Sequence, residues 1–231
     1  MDLLLDDQER LIKDTAREFF ATESTPERVR SAEEDSQKYS PDLWKKIGEQ
    51  GWRGVSLPES CGGQALPLTY AGLLMEEAGR HIAPIPMHST MVTALALARH
   101  DGDRFKDLLS KVASAEMILT YATQGSDGAW TADGSGLAAS AGTNGIILNG
   151  VRSFVDNFRL AGKCLVLCRD QDSGVAAALV SPVAAGVHAT ELVTTAKDSQ
   201  FSVRFENVEV DEADVVATGD AARRLARDLC D

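Results

Sequence analysis

The stretch Leu148-Asn149-Gly150-Val151-Arg152-Ser153-Phe154-Val155-Asp156-Asn157-Phe158 reads as a tight turn feeding a strand, and it sets one carboxylate, Asp156, between two aromatics. A carboxylate there can accept hydrogen bonds or hold a proton, and burial decides which. Other chemically able side chains are sparse. Cys164 and Cys168 sit in the strand-like run CLVLC, where residues four apart face the same way about 13 Å from each other, too far for a disulfide or a shared ion. With Cys61 and Cys230 they read as reduced, structural cysteines. His81, His88, His100 and His188 lack a paired metal spacing such as HExxH, so surface or helix-end roles are expected of them and no metal site is expected.

These groups need elements to hold them, and the chain changes character near residue 114. Before it, punctuation and period are helical. Asp6 and Glu9 form a plausible capping box, and Leu11, Ile12, Thr15, Ala16, Phe19 and Phe20 then recur on one face. Thr25-Pro26 and Ser40-Pro41 place a hydroxyl N-cap before a first-turn proline, and Gly51 can close the helix that buries Leu43, Trp44 and Ile47. Further helices are predicted over 68–80, 87–100 and 103–113. After Glu116, Asn144-Gly145 and Asn149-Gly150 are turn signals around Ile146-Ile147-Leu148, and CLVLCR, VAAALV and FSVRFENVEV are short apolar runs. The expected fold is α+β: an all-helical domain over 1–114, an antiparallel β-barrel or sandwich over 115–213, and over 214–231 a linker with the start of a further helix.

Composition narrows the function classes. The 231 residues include 23 Lys plus Arg against 35 Asp plus Glu, a formal charge of −12, which disfavours nucleic acid and anionic membranes as partners. The amino terminus MDLLLDDQERLIK has no basic lead and no long apolar run, so neither a signal peptide nor a membrane span is read there and a soluble, cytoplasmic protein is expected.

The words filling this order are specific. SPDLWKKIGEQGWRGVSLPESCGG resembles the acyl-CoA dehydrogenase family's Pro-x-x-Leu-Trp…Gly-Trp-x-Gly-x-x-x-Pro-Glu-x-x-Gly-Gly signature, through Pro41, Leu43, Trp44, Gly51, Trp52, Gly54, Pro58, Glu59, Gly62 and Gly63. YAGLLMEEAGR and LLSKVAS continue the likeness. TYATQGSD resembles the family's flavin loop, LNGVRSFVDN its Leu-Asn-Gly-x-Lys-x-Trp-Ile-Thr-Asn, and VRFENVEV the strand before the final helical domain. The resemblance spans essentially the whole chain and implies a helical, β, helical architecture whose last helical bundle is missing or truncated here. It implies FAD as cofactor, an acyl-CoA thioester as substrate and α,β-desaturation as the reaction. The family's catalytic glutamate lies in that last domain, so no catalytic residue is assigned in this chain.

Carried over position by position, the resemblance makes Tyr121, Thr123, Gly125, Ser126, Phe154, Val155 and Asp156 the cofactor-binding candidates. The loop around Gln124 is shorter than the family's and lacks its proline. Phe154 stands where the family has a tryptophan against the flavin ring, Val155 stands for its isoleucine, and Asp156 stands for a threonine that meets the flavin's polar edge. An ionised carboxylate cannot donate there. Two like charges about 4 Å apart at an effective dielectric of about 20 repel by about 4 kcal/mol, equivalent to about a thousandfold against reduction. Asp156 thus argues against ordinary flavin binding, unless it is protonated, turns to solvent, or pairs with an arginine such as Arg152 or Arg159; a plain exposed strand-end residue is the other reading.

Ala83-Pro84-Ile85-Pro86 and the small-residue helix after it resemble a bacterial subgroup that works as paired, unlike subunits on bulky or sterol-derived acyl-CoAs. The expected partners are therefore acyl-CoA dehydrogenase subunits in a homo- or hetero-oligomer. Two alternatives stay open: a non-catalytic partner subunit of such a heteromer, or a related flavin oxidase or monooxygenase.

Overall fold

Three N-caps set where the first helices begin. In the computed structural model, which describes residues 4–125, 134–172 and 174–229, helix α1 (Asp7–Glu23) starts at a complete capping box. The Glu9 amide donates to the Asp6 carboxylate at 2.7 Å and the Asp6 amide to the Glu9 carboxylate at 3.0 Å, so two amides that a helix start leaves orphaned are paired. Thr25 and Ser40 cap α2 (Pro26–Glu34) and α3 (Pro41–Glu49), each with proline in the first turn. Gly51, at φ 71°, carries the left-handed turn after α3. Helices α4 (Leu68–Arg80), α5 (Met87–Asp101) and α6 (Lys106–Ala113) complete the helical part. One expected contact differs: Leu11 is 69% exposed, and α1 buries Ala16 and Phe20 instead, because Leu11 lies at the edge of the apolar stripe.

Eight strands follow among the described residues: β1 (Leu119–Ala122), β2 (Leu137–Ala141), β3 (Gly145–Asp156), β4 (Lys163–Asp170), β5 (Ala176–Val180), β6 (Val187–Glu191), β7 (Gln200–Asp211) and β8 (Val215–Thr218). The sheet order is β6-β7-β3-β2-β4-β5-β8, with β1 also beside β4. Most ladders are antiparallel, but β1–β4 and β2–β4 are parallel, a pairing that hairpin signals cannot announce. Strand β8, four residues paired with β5, lies where the sequence pattern only loosens. Helix α7 (Gly219–Asp228) ends the described chain.

The second turn signal requires a correction. Asn144-Gly145 does connect β2 to β3, but Asn149-Gly150 lies inside the 12-residue β3, at a register shift against β7 between Leu148 and Gly150. Gly150 has φ 142°, and a Cβ there would sit 2.3 Å from the Gly136 carbonyl oxygen, so the glycine lets β2 approach and bends the strand without ending it. The side chains of Asn149 and Asn207 bridge the bend, the Asn207 amide donating to Asn149 Oδ1 at 2.9 Å.

Strand β4 faces two cores. Leu165 and Leu167 pack toward α5, α6 and α7 with Leu97, Leu109 and Leu225, while Cys164, Val166 and Cys168 face the sheet interior with Leu148, Val155, Phe158 and Phe205. Each large apolar side chain removed from water contributes about 1.5–3 kcal/mol, so β4 ties helical and sheet parts together through both faces. Burial pushes both thiols up, Cys168 to about 12, which keeps them protonated and inert. The helical part has its own core around Phe20, Leu43, Trp44, Ile47, Trp52 and Leu74.

Candidate functional site

The site is built where β1, the residues after it, the end of β3 and the start of α5 converge. Between Arg152 and Val155 the pairing of β3 with β7 shifts register, releasing Ser153 and Phe154 from the ladder. The Ser153 amide donates instead to the Gln124 carbonyl at 3.1 Å, joining the β1 extension to β3. Phe154 has φ 55°, a left-handed conformation that a bulky residue adopts at a cost, and the residue is 48% exposed. Thr123 is buried at the same junction, and Gly125 is buried with its Cα against Gly136. Thr123, Gly125 and Phe154 are thus brought together. Val155 is wholly buried in the sheet core, so its side chain faces away from that junction. Ser126 lies outside the described residues.

One buried side chain braces this arrangement. Arg152 is fully buried and spreads its guanidinium over main-chain carbonyls. It donates from Nε to Leu167 at 3.1 Å, from Nη1 to Ser135 at 2.6 Å, from Nη2 to Gly134 at 2.8 Å and again to Leu167. Those contacts hold the start of β2 and the middle of β4 against β3 immediately before the bulge.

Asp156 sits at the last pair of the β3–β7 ladder, opposite Gln200. Burial raises its carboxyl above the usual carboxylate range, a hydrogen bond from the Gln200 side chain lowers it, nearby Asp198 raises it and His88 lowers it. The arginines offered as one escape for its charge are engaged elsewhere: Arg152 braces carbonyls, and Arg159 lies over the Phe201 ring at 5.0 Å and donates to the Ala189 carbonyl at 3.2 Å. The physical reason is the bulge, which breaks the alternation that would have put Arg152 and Asp156 on one face.

Helix α5 is stitched to this corner by its hydroxyls. The Thr90 hydroxyl donates to the Leu119 carbonyl at 3.1 Å and Asn157 Nδ2 donates to the Ser89 hydroxyl at 3.4 Å, while β1 is tied to β3 by the Thr120 hydroxyl, which donates to the Asp156 carbonyl. His88, in the first turn of α5, stands with its ring centroid 6.4 Å from that of Tyr121. From His88 an apolar groove of about 260 Å³ runs between α4, α5 and α7, lined by Leu68, Ala71, Gly72, Val92 and Leu95 among others. Sequence reasoning did not single out His88, Gln200 or this groove. A usable signal was Gly72, a glycine in the middle of a helix.

Known proteins resemble this chain in sequence and in fold. Residues 6–116 match the acyl-CoA dehydrogenase, N-terminal domain model. Acyl-CoA dehydrogenase FadE27 of Mycobacterium tuberculosis is 31% identical over 201 residues, covering 86% of this chain and 52% of the relative. A variant of the Tcur3481–Tcur3483 steroid ACAD is 30% identical with a TM-score of 0.86, over 96% of this chain and 60% of that one. The ChsE4–ChsE5 complex from Mycobacterium tuberculosis is 27% identical with a TM-score of 0.88, over 97% and 61%. The chain therefore spans about half the length of that curated relative, 52%, and 60% of the steroid ACAD chain. On sequence and on fold, the chain belongs to the acyl-CoA dehydrogenase family.

Proposed function

We propose that this chain is one subunit of a FAD-dependent acyl-CoA dehydrogenase that desaturates the α,β bond of a bulky acyl-CoA thioester, assembled with a second, unlike subunit. The observation that carries the reading is the bulge at Phe154. It leaves Phe154 half-exposed on the segment that the Ser153–Gln124 bond ties to Thr123 and Gly125, while His88, beside Tyr121 on the same β1 strand, stands at the end of an apolar groove. The pairing of unlike subunits draws on the two-member complexes among the similar structures, the ChsE4–ChsE5 complex and the Tcur3481–Tcur3483 steroid ACAD. Within the chain, the reading divides residues 1–114, 115–213 and 214–231 into a helical domain, a β domain and the start of a further helical one.

The residues present fit a flavin. Phe154 offers a ring face for stacking, and the close approach of Gly125 to Gly136 leaves main chain free of side chains at the junction. Asp156, the departure from the family pattern, has a carboxyl that its surroundings push toward the protonated form, and a protonated carboxyl donates a hydrogen bond as a threonine hydroxyl does. When bound, FAD would supply the hydride acceptor. The chain's own residues would hold the thioester end of the substrate near Tyr121 and His88 and exclude water from its acyl body along α4 and α5.

A visible spectrum of the protein, alone and with the product of its genomic neighbour, tests this. The expected result is a flavin absorption band that bleaches when an acyl-CoA is added anaerobically. A complex that neither retains FAD nor binds an acyl-CoA overturns it. Bleaching that survives every substitution at the Phe154 junction makes this chain a non-catalytic partner.

A further inference from the structure

The groove beside α5 has two unlike ends. At one end is His88, next to Tyr121; at the other are Arg99 and Asp228. Residues 88 and 99 lie on one helix, so at 1.5 Å per residue the groove runs about 16 Å. Its walls between these ends are apolar: Ala71, Met75, Val92, Leu95 and Leu229.

Gly72 gives this groove its clearance. It lies in the interior of α4, where glycine costs about 1 kcal/mol relative to alanine. It has no left-handed φ to justify that cost, and a Cβ built on it meets no atom within 4 Å. Gly48 in α3 shows the contrasting case, since a Cβ there would collide with the Arg53 guanidinium. Nothing inside the fold needs Gly72 bare; the space it leaves opens into the groove.

Arg99 and Asp228 put charge at the far end of a groove whose other walls are apolar. The ion pair between them is long, 3.9 Å, and half-exposed, a geometry that holds the Arg99 guanidinium weakly and leaves most of its donors free for an incoming acceptor.

We propose that Arg99 is a specificity-determining residue: the groove seats an elongated apolar acyl body whose distal end carries an oxygen acceptor, a carboxylate or a ketone, that Arg99 binds. This rests on the acyl-CoA reading above and adds to it the chemistry of the end farthest from the thioester. A plain hydrocarbon tip would strip water from Arg99 and return nothing, whereas an oxygen acceptor replaces that water with a charge-assisted hydrogen bond.

The test measures binding of three probes to the complete complex by calorimetry: dodecanoyl-CoA, its terminal carboxylate analogue dodecanedioyl-CoA, and the matching methyl ketone. At least one oxygenated probe is expected to bind about tenfold more tightly than dodecanoyl-CoA, about 1.4 kcal/mol. R99M, whose side chain keeps the apolar stem, is expected to erase that preference while leaving dodecanoyl-CoA affinity within about twofold. Which probe gains tells carboxylate from ketone. G72L, in which leucine favours the helix but fills the groove, is expected to weaken all three probes about tenfold. If G72L changes none of them, the groove is not the acyl seat and the inference falls while the family reading stands. If G72L weakens them all but no oxygenated probe is preferred, or R99M keeps the preference, the role of Arg99 falls alone. If no probe binds the wild-type complex, the inference falls, and the acyl-CoA reading falls with it only if the complex also retains no FAD.

Discussion

Two arginines are buried among the described residues, Arg152 in the sheet part at 0% exposure and Arg53 in the helical part at 2%, and they are treated in opposite ways. Arg152 meets carbonyls of Gly134, Ser135 and Leu167. Arg53 rests over the Trp44 ring at 4.8 Å in the space left by Gly48, and its Nε and Nη1, like Trp44 Nε1, lack a hydrogen-bond partner among the described residues. Burial pushes Arg53 down to about 10, still protonated at neutral pH. The difference separates two uses of a buried charge. One organises main chain that would otherwise be unsatisfied; the other covers an aromatic face and is offset only by cation–π attraction.

The largest expected effect follows from the first. R152M removes the donor and leaves three carbonyls without it, so unfolding in urea should show a loss of about 3–5 kcal/mol, or no folded protein at all. R152K, which restores one flexible donor group, should fall between. An R152M protein as stable as wild type would break the contrast between the two arginines.

R53M should go the other way. Replacing an unpaired buried charge by an apolar side chain of similar length is expected to leave stability unchanged or raise it by about 1–4 kcal/mol in the same urea titration. A loss of 2 kcal/mol or more, roughly the value of a charged hydrogen bond, would mean Arg53 has an acceptor after all.

These two residues also mark how far the sequence could be read. The caps at Asp6, Thr25 and Ser40 and the left-handed Gly51 were legible because each depends on a few neighbouring residues. The order of helices then strands was legible for the same reason. The role of Asn149-Gly150 was not, because the same dipeptide serves a turn or a bulge and only the approach of Gly136 decides between them. Family resemblance named Thr123, Gly125 and Phe154 as cofactor candidates. What set their geometry was not legible, since the bond from Ser153 to Gln124 and the reach of Arg152 to Leu167 join segments with no local signature. Gln200 as the partner of Asp156 depends on the β3–β7 register, which the two shifts in β3 make unreadable from alternation.

A smaller effect sharpens the view that Arg152 braces a strained bulge. F154G places glycine where φ is 55° and removes a residue that tolerates that conformation poorly, so the fold should gain about 1 kcal/mol in urea despite losing a partly exposed ring. The same variant loses the stacking face, and FAD retention measured by fluorescence on dilution should weaken about tenfold. Stability and cofactor affinity moving in opposite directions is the signature of strain held for binding. If both fall, Phe154 is a packing residue.

The smallest expected effect belongs to Asp156, where opposing influences partly cancel. Its carboxyl is raised in the folded state by burial and by Asp198, against the Gln200 hydrogen bond and His88. Between its unfolded pKa, about 3.9, and the higher folded value, the native state binds more protons than the unfolded chain, so this group's contribution to stability falls as pH rises through that window. Asparagine cannot ionise, yet its oxygen can still accept from Gln200. D156N should therefore be more stable than wild type at pH 7, with the gap closing as pH drops toward 4, measured as the difference in urea midpoints across a pH series. A gap that widens on acidification would mean the folded protein favours the carboxylate, and would restore the like-charge objection to a reduced flavin at this edge.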